Sequence, residues 1–159
     1  MYAYVGSKDL AVDCVGKTAR QDVDTPADAL SLLRASGLTG EGETVVTFIV
    51  DLGGRLWIAD RHSEHVACAD GQSVLSAGEM TFEVENGRLS VVAVSNQSLG
   101  YCPEPKSWPM VETALDRAGI PHPGRFTSPY LILRCPNCDM RNIVKDDVFE
   151  CAVCGTALA

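Results

Sequence analysis

The chain lacks long apolar runs, and this bears on its location. No apolar stretch among its 159 residues approaches the roughly 18 that a membrane-spanning helix needs. Met1-Tyr2-Ala3-Tyr4 also lacks the basic start and the apolar stretch of a signal peptide. We therefore expect no membrane association and a cytoplasmic location.

Positive charge is also scarce. Lys and Arg number 13 against 21 Asp and Glu, which gives a formal net charge of −8. From Arg134 onward the acidic residues outnumber the basic ones, and the basic ones form no stripe. Because phosphate binding draws its affinity from clustered Lys and Arg, this composition disfavours nucleic acid as a partner.

The chain shows no repeats, no heptads and no low-complexity tract. Apolar residues make up 46% and charged residues 21% of the sequence, which is typical of a globular domain with one core. We therefore expect a chain that folds without a partner.

Cysteine is the most informative residue type present. Cys135, Cys138, Cys151 and Cys154 form two CxxC pairs separated by twelve residues. This spacing is typical of a four-thiolate zinc site, whereas a redox CxxC needs a strand-to-helix context that neither pair has. Four protein ligands leave no open coordination position, so we expect a structural zinc ion.

The sequence around the cysteines predicts a zinc ribbon over residues 134–159. Gly155 follows the last cysteine, where it can ease the turn of the backbone. Residues 142–144 and 148–150 are predicted strands joined by a turn. Cys14, Cys68 and Cys102 are an odd, scattered set, which favours reduced thiols over disulfides.

Residues 1–133 predict an α+β core domain with a mostly antiparallel sheet. Two helices are expected to begin at the capping residues Thr25 and Ser107 and to end at Gly37 and Gly119. Alternating apolar residues and turn sequences predict the following strands: 44–50 with 55–59, 80–84 with 89–94, and 130–133.

Two polar clusters follow predicted strands. The first is Arg61-His62-Ser63-Glu64-His65, and the second is the segment 96–103, which is rich in amide and hydroxyl groups. Strand ends are common places for working side chains, so the clusters predict one polar pocket that binds a small molecule or a protein partner. The alternative is a solvated turn with His65 packed partly inside.

Candidate roles follow from the chemistry of these side chains. His65 can act as a general base or a hydrogen-bond anchor, and Glu79 can orient it. With Tyr101 they form the candidate catalytic set. The candidate ligand-binding residues are Arg61, His62, Asn96 and Ser98.

The same segments carry a resemblance to known proteins. HVACADGQSVLSAGE, which starts at His65, and NQSLGYCP, which starts at Asn96, resemble a module of bacterial toxin and effector proteins and of plant IQ-motif calmodulin-binding proteins. The chain departs from the module at Val66 and Ala67, where the module has two serines, at Ser73, where it has proline, and at Leu99-Gly100, where it has Gly-His. With its ribbon included, the whole chain resembles a group of small, uncharacterised bacterial proteins. The matching residues are His65, Gly71, Val74, Ala77, Gly78, Glu79, Asn96, Ser98, Tyr101 and Pro103.

Two other functions remain open from the sequence. One is an enzyme that uses His65, Glu79, Asn96 and Tyr101, either as a small-substrate hydrolase or in group transfer from a nucleotide cofactor. The His, Tyr and Glu trio resembles that of ADP-ribosyltransferases, although the glutamate comes last in that family. The other is a structural or interaction protein that docks through its ribbon, which predicts an exposed apolar patch there.

Other metal and nucleophile assignments are weaker. His62, His65 and Cys68 have a ligand-like spacing but no evident fourth ligand. Cys68 and Cys102 are candidate nucleophiles, although a small apolar role in the core is the commoner one.

Overall fold

A computed structural model describes residues 1–158. Its main feature is a five-stranded antiparallel sheet in the order β1-β3-β2-β4-β5, and a separate two-stranded sheet pairs β6 with β7. The strands are β1 (Arg20–Val23), β2 (Gly42–Asp51), β3 (Leu56–Asp60), β4 (Val74–Glu85), β5 (Arg88–Val94), β6 (Leu131–Arg134) and β7 (Arg141–Val144). The helices are α1 (Lys8–Cys14), α2 (Pro26–Ala35), α3 (His65–Cys68) and α4 (Trp108–Ala118). The predicted α+β class is confirmed.

Local sequence signals account for several element boundaries. Thr25 caps α2 through a capping box in which the Thr25 N–H and hydroxyl donate to Asp28 Oδ2 at 2.7 and 2.8 Å. Gly119 ends α4 with φ of 67°, a conformation that glycine adopts without strain. Ser107 precedes α4, but the prediction that its side chain caps the helix is wrong, because its hydroxyl lies 2.9 Å from Ser76 Oγ instead.

The large sheet is covered on both faces because residues of alternating parity point to opposite sides. On one face α2 and α4 pack over Phe48, Phe82 and their apolar neighbours. On the other face α1, α3 and the N-terminal segment pack over Ile49 and Ala77. Tyr101 also lies in this second cluster.

The two predicted hairpins of the core are confirmed. β2 pairs with β3 up to Val50 and Leu56, and β4 pairs with β5 around the turn at Asn86-Gly87. The sequence did not predict α1, β1 or α3.

The small sheet differs from the prediction. β7 pairs with β6, with Leu131 opposite Val144 and Arg134 opposite Arg141. The predicted strand over 148–150 is wrong, since only Glu150 forms an isolated bridge, to Ala157. Residues 131–133 were assigned to the core by sequence, yet they supply the partner strand of the ribbon. In residues 1–158 no helix combines the length and apolar character needed to span a membrane.

Candidate metal centre

The four cysteines lie in two loops of matching backbone geometry. In the first loop Cys135 N donates to Met140 O at 2.8 Å, and in the second Cys151 N donates to Thr156 O at 2.8 Å. The residue after the second cysteine has positive φ in both, 66° at Asp139 and 69° at Gly155. The turn expected at Gly155 is therefore present, and an aspartate adopts the same conformation in the other loop.

The sulfur atoms are arranged as ligands of a single ion. All four lie within 4.8 Å of one another, and two of the separations between the loops are Cys135 Sγ to Cys154 Sγ at 3.6 Å and Cys138 Sγ to Cys151 Sγ at 3.5 Å. Thiolates about 2.3 Å from a central zinc ion would form a tetrahedron with edges of about 3.8 Å. The cluster can therefore hold a metal ion.

Polar side chains contact two of the sulfur atoms, those of Cys151 and Cys154. Asn142, on β7, is buried, and its Nδ2 lies 3.6 Å from Cys151 Sγ while its Oδ1 accepts from Ala152 N at 3.0 Å. Thr156 Oγ1 lies 3.3 Å from Cys154 Sγ, and this contact lowers the pKa of the Cys154 thiol. Donors of this kind orient the ligands and favour the thiolate form that a metal requires.

Little else holds the ribbon together. Its buried apolar cluster consists of Cys135, Cys151 and Leu158, with Leu133 packed against them. Two of these residues are metal-ligand candidates. A core this small cannot stabilise a fold by burial alone, so the ribbon needs a crosslink of the kind a metal supplies.

His65 lies at the start of α3 and is bonded to the main chain of β4. Its Nε2 lies 3.0 Å from Gly78 O, and burial lowers the pKa of the imidazole, an effect that the hydrogen bond partly opposes. Gly78 is itself constrained, because a Cβ there would lie 1.9 Å from Ser95 O. The close approach of these two backbone segments therefore requires glycine.

Tyr101 and Asn96 are also bonded to backbone groups. Tyr101 is 2% exposed, and its hydroxyl donates to Gln72 O at 2.7 Å. Asn96 is fully buried; its Nδ2 donates to Pro103 O at 2.7 Å and to Tyr130 O at 2.8 Å, and its Oδ1 accepts from Tyr130 N at 2.7 Å. Every hydrogen-bonding group of the Asn96 amide is thus used to join chain segments.

The remaining predicted pocket residues are dispersed. Arg61 and Glu79 line one cleft of about 190 Å³, below the usual range of about 300–1,000 Å³ for small-molecule pockets. His62 is exposed and lines a different cleft. Ser98 is buried, and its hydroxyl has no hydrogen-bond partner in the part of the chain described.

Within residues 1–158 no hydrogen bond joins His65 to Glu79, although both lie toward the α3 face of the sheet. The catalytic and ligand-binding roles stay predictions. The residues that the sequence grouped as one pocket are brought together only in part: Arg61 lines one cleft with Glu79 and another with His62.

The other cysteines take no part in a metal cluster. Among the described residues only the four ribbon cysteines form a group of three or more His, Cys, Asp or Glu placed to hold an ion, so a site at His62, His65 and Cys68 is not formed. Cys68 is free and fully buried, and burial raises the pKa of its thiol to about 12. The expected burial of Cys68 in the core is confirmed.

Asn142 and Thr156 were missed by the sequence analysis. Asn142 lies in a predicted strand and Thr156 lies two residues after the last cysteine, and neither position carried a sequence signal of its own.

Comparison with known proteins does not add to the site: no protein-family model, no curated protein and no solved structure matches the chain. The resemblance of the central segment therefore rests on the residues quoted for it.

Proposed function

We propose that this protein binds one structural zinc ion through Cys135, Cys138, Cys151 and Cys154, and that the ion orders residues 134–159 as a ribbon on a core of residues 1–133. The observation that carries the proposal is the set of four sulfurs that lie within 4.8 Å of one another. Four thiolates suit zinc or iron and complete the coordination sphere, so the metal has no open position for a substrate. A reducing compartment such as the cytoplasm keeps such thiols available.

The proposed metal ion would stabilise the ribbon. With a buried cluster of three residues, two of them cysteines, the ribbon gains little from burial. In such small modules the free energy of metal binding serves as the free energy of folding. Metal removal should therefore unfold the ribbon while the sheet of the core persists.

Metal analysis of the purified protein tests this proposal. We expect one zinc per chain, no iron, and loss of metal in Cys151→Ser. Cys14→Ser is the matched control, since Cys14 is a free cysteine of the core. Equal metal content in the two variants, or an ordered ribbon in metal-free protein, would refute the structural site.

A second function, docking of a protein partner, is favoured by the apolar surface of the ribbon. A groove of about 800 Å³ contains Met140, Val148 and Val153 from the ribbon and Leu99 from the core. These side chains are 45%, 58%, 63% and 47% exposed, respectively. Clustered exposed apolar residues mark interaction surfaces, and the occupant we propose is an apolar segment of another protein.

The docking proposal can be tested with one pair of substitutions. Val148→Asp places a charge in the groove, and Val12→Asp places the same charge on α1, where Val12 is 76% exposed. A partner that docks in the groove should be captured by wild type and Val12→Asp and lost with Val148→Asp. Zinc content measured on each sample separates loss of docking from loss of the ribbon. Equal capture by both variants would contradict docking in the groove.

A further inference from the structure

A second cleft, of about 340 Å³, lies between the ribbon and the core. Its walls come from the N-terminal segment, from the Tyr101-Cys102 loop and from both ribbon strands. We call it the ribbon–core cleft. The lining residues that matter here are Tyr2, Val5, Cys102, Ile132, Leu133 and Arg141.

The walls are mainly apolar and aromatic, and the two arginines among them differ in their partners. Arg134 is paired with Asp139. Arg141 is partly buried, and its guanidinium has neither an ion pair nor a hydrogen bond within residues 1–158. An unpaired cation beside apolar walls is unfavourable unless an anion joins it.

The charge of Arg141 acts on the walls of the cleft. Burial raises the pKa of the Cys102 thiol, and the Arg141 charge opposes that rise. Burial likewise raises the pKa of the Tyr4 hydroxyl, and the Arg141 charge opposes that rise as well. The Tyr4 ring packs edge-on against Tyr101, with 5.5 Å between the ring centroids. Arg141 is therefore near enough to the cleft to attract an anionic group there.

We propose that the ribbon–core cleft binds a small molecule with an apolar body and one carboxylate, which Arg141 anchors. A guanidinium can donate two parallel hydrogen bonds to a carboxylate, while Tyr2, Val5, Ile132 and Leu133 cover the apolar body. The volume lies at the lower end of the range for ligand pockets and suits a medium-chain or aryl acid.

The charge balance favours a carboxylate over a phosphate. A phosphate monoester carries nearly two negative charges at neutral pH and calls for more than one cation. Arg134, the other arginine of the cleft, is already paired with Asp139. One unpaired guanidinium in a protein of net charge −8 matches a single negative charge.

Binding in this cleft rests on the proposed zinc site, because β6 and β7 supply one wall. If zinc orders the ribbon, zinc and the carboxylate must each raise the affinity for the other by the same factor. Zinc-free protein should therefore lose the ligand, and a bound carboxylate should slow removal of zinc by a chelator.

The test is calorimetric titration of the zinc-loaded full chain with hexanoate, octanoate, decanoate and 3-phenylpropanoate. Octanol and octylamine serve as probes with the same apolar body and no carboxylate. We expect at least one acid to bind with 1:1 stoichiometry and the two other probes to bind at least about tenfold more weakly, as loss of a charge-assisted hydrogen bond implies. Failure of all four acids at millimolar concentration, or equal binding of octanol, would overturn the proposal.

Two pairs of variants locate the site. Arg141→Gln should weaken the acid at least about tenfold, whereas Lys145→Gln, which removes a ribbon cation outside the cleft, should change it less than about twofold. Val5→Trp should block the cleft, and Val12→Trp should not. Unchanged binding in Arg141→Gln or Val5→Trp would refute this site. Metal analysis of the same samples reports separately on the zinc proposal.

Discussion

Replacing Asn96 with alanine should destabilise the core strongly while leaving the metal site intact. The Asn96 amide makes three hydrogen bonds, of 2.7, 2.8 and 2.7 Å, to Pro103 and Tyr130. These bonds tie the end of the β5 region to two later segments. The substitution therefore removes a junction between three parts of the chain.

The magnitude follows from what is left unpaired. A buried polar group that loses its partner costs about 1–3 kcal/mol. Three groups are affected, and water can replace some of the bonds at the partly buried Tyr130, so we expect a total of about 3–5 kcal/mol. For a chain of this size each kcal/mol shifts the melting temperature by about 2–4 °C, so the melting temperature should fall by at least about 6 °C.

The measurement is thermal unfolding of zinc-loaded protein. Gln97→Ala is the matched control, because the Gln97 side chain makes no hydrogen bond within residues 1–158, and it should move the melting temperature by less than about 2 °C. Asn96→Asp should destabilise as well, since a carboxylate cannot donate to the two carbonyls. A melting temperature of Asn96→Ala within about 2 °C of wild type would refute the reasoning.

Three further outcomes are expected. Asn142→Ala should weaken zinc binding by about 10–100-fold in a chelator competition, because Asn142 Nδ2 contacts Cys151 Sγ. An unchanged zinc affinity would contradict a role of Asn142 in orienting Cys151. His65→Ala should lower the free energy of unfolding by about 1–3 kcal/mol in urea titrations, because the His65 side chain bonds to the Gly78 carbonyl. Glu79→Ala, whose side chain makes no such bond, should change it by less than about 0.5 kcal/mol. Equal effects of the two substitutions would argue against His65 as an anchor. Hydrogen bonds from Thr25 hold the pKa of Asp28 below its ordinary value, so Asp28 contributes stability at neutral pH that is lost as pH falls through the carboxylate range. Asp28→Asn should therefore flatten the dependence of the free energy of unfolding on pH below about pH 4. An unchanged pH dependence would contradict this linkage.

The module-like residues of the central segment have a structural explanation in this fold. His65 bonds to the carbonyl of Gly78, and Gly78 lets the chain at Ser95 approach closely. Asn96 and Tyr101 then bond to the main chain on either side. These residues therefore hold the two polar segments against the sheet, and this structural role does not depend on a ligand.

Sequence spacing alone was sufficient to predict the four-cysteine cluster and the hairpins. The two CxxC pairs, the positive φ at Gly155 and the turn at Asn86-Gly87 depend on residues a few positions apart. Local backbone preferences decide such features, so the sequence predicts them well. The capping box at Thr25 belongs to the same class.

Long-range packing decided the rest. β6 pairs with β7 because the backbone groups of residues 131–134 need partners, and no local signal distinguished them from the residues at 148–150. The bonding partners of His65 and Asn96 likewise depend on which distant chain segment lies within hydrogen-bond reach. Composition and spacing determined that the chain is an α+β protein with a four-cysteine site, whereas only the tertiary structure decided which polar side chains of the described residues are bonded within the fold and which are not.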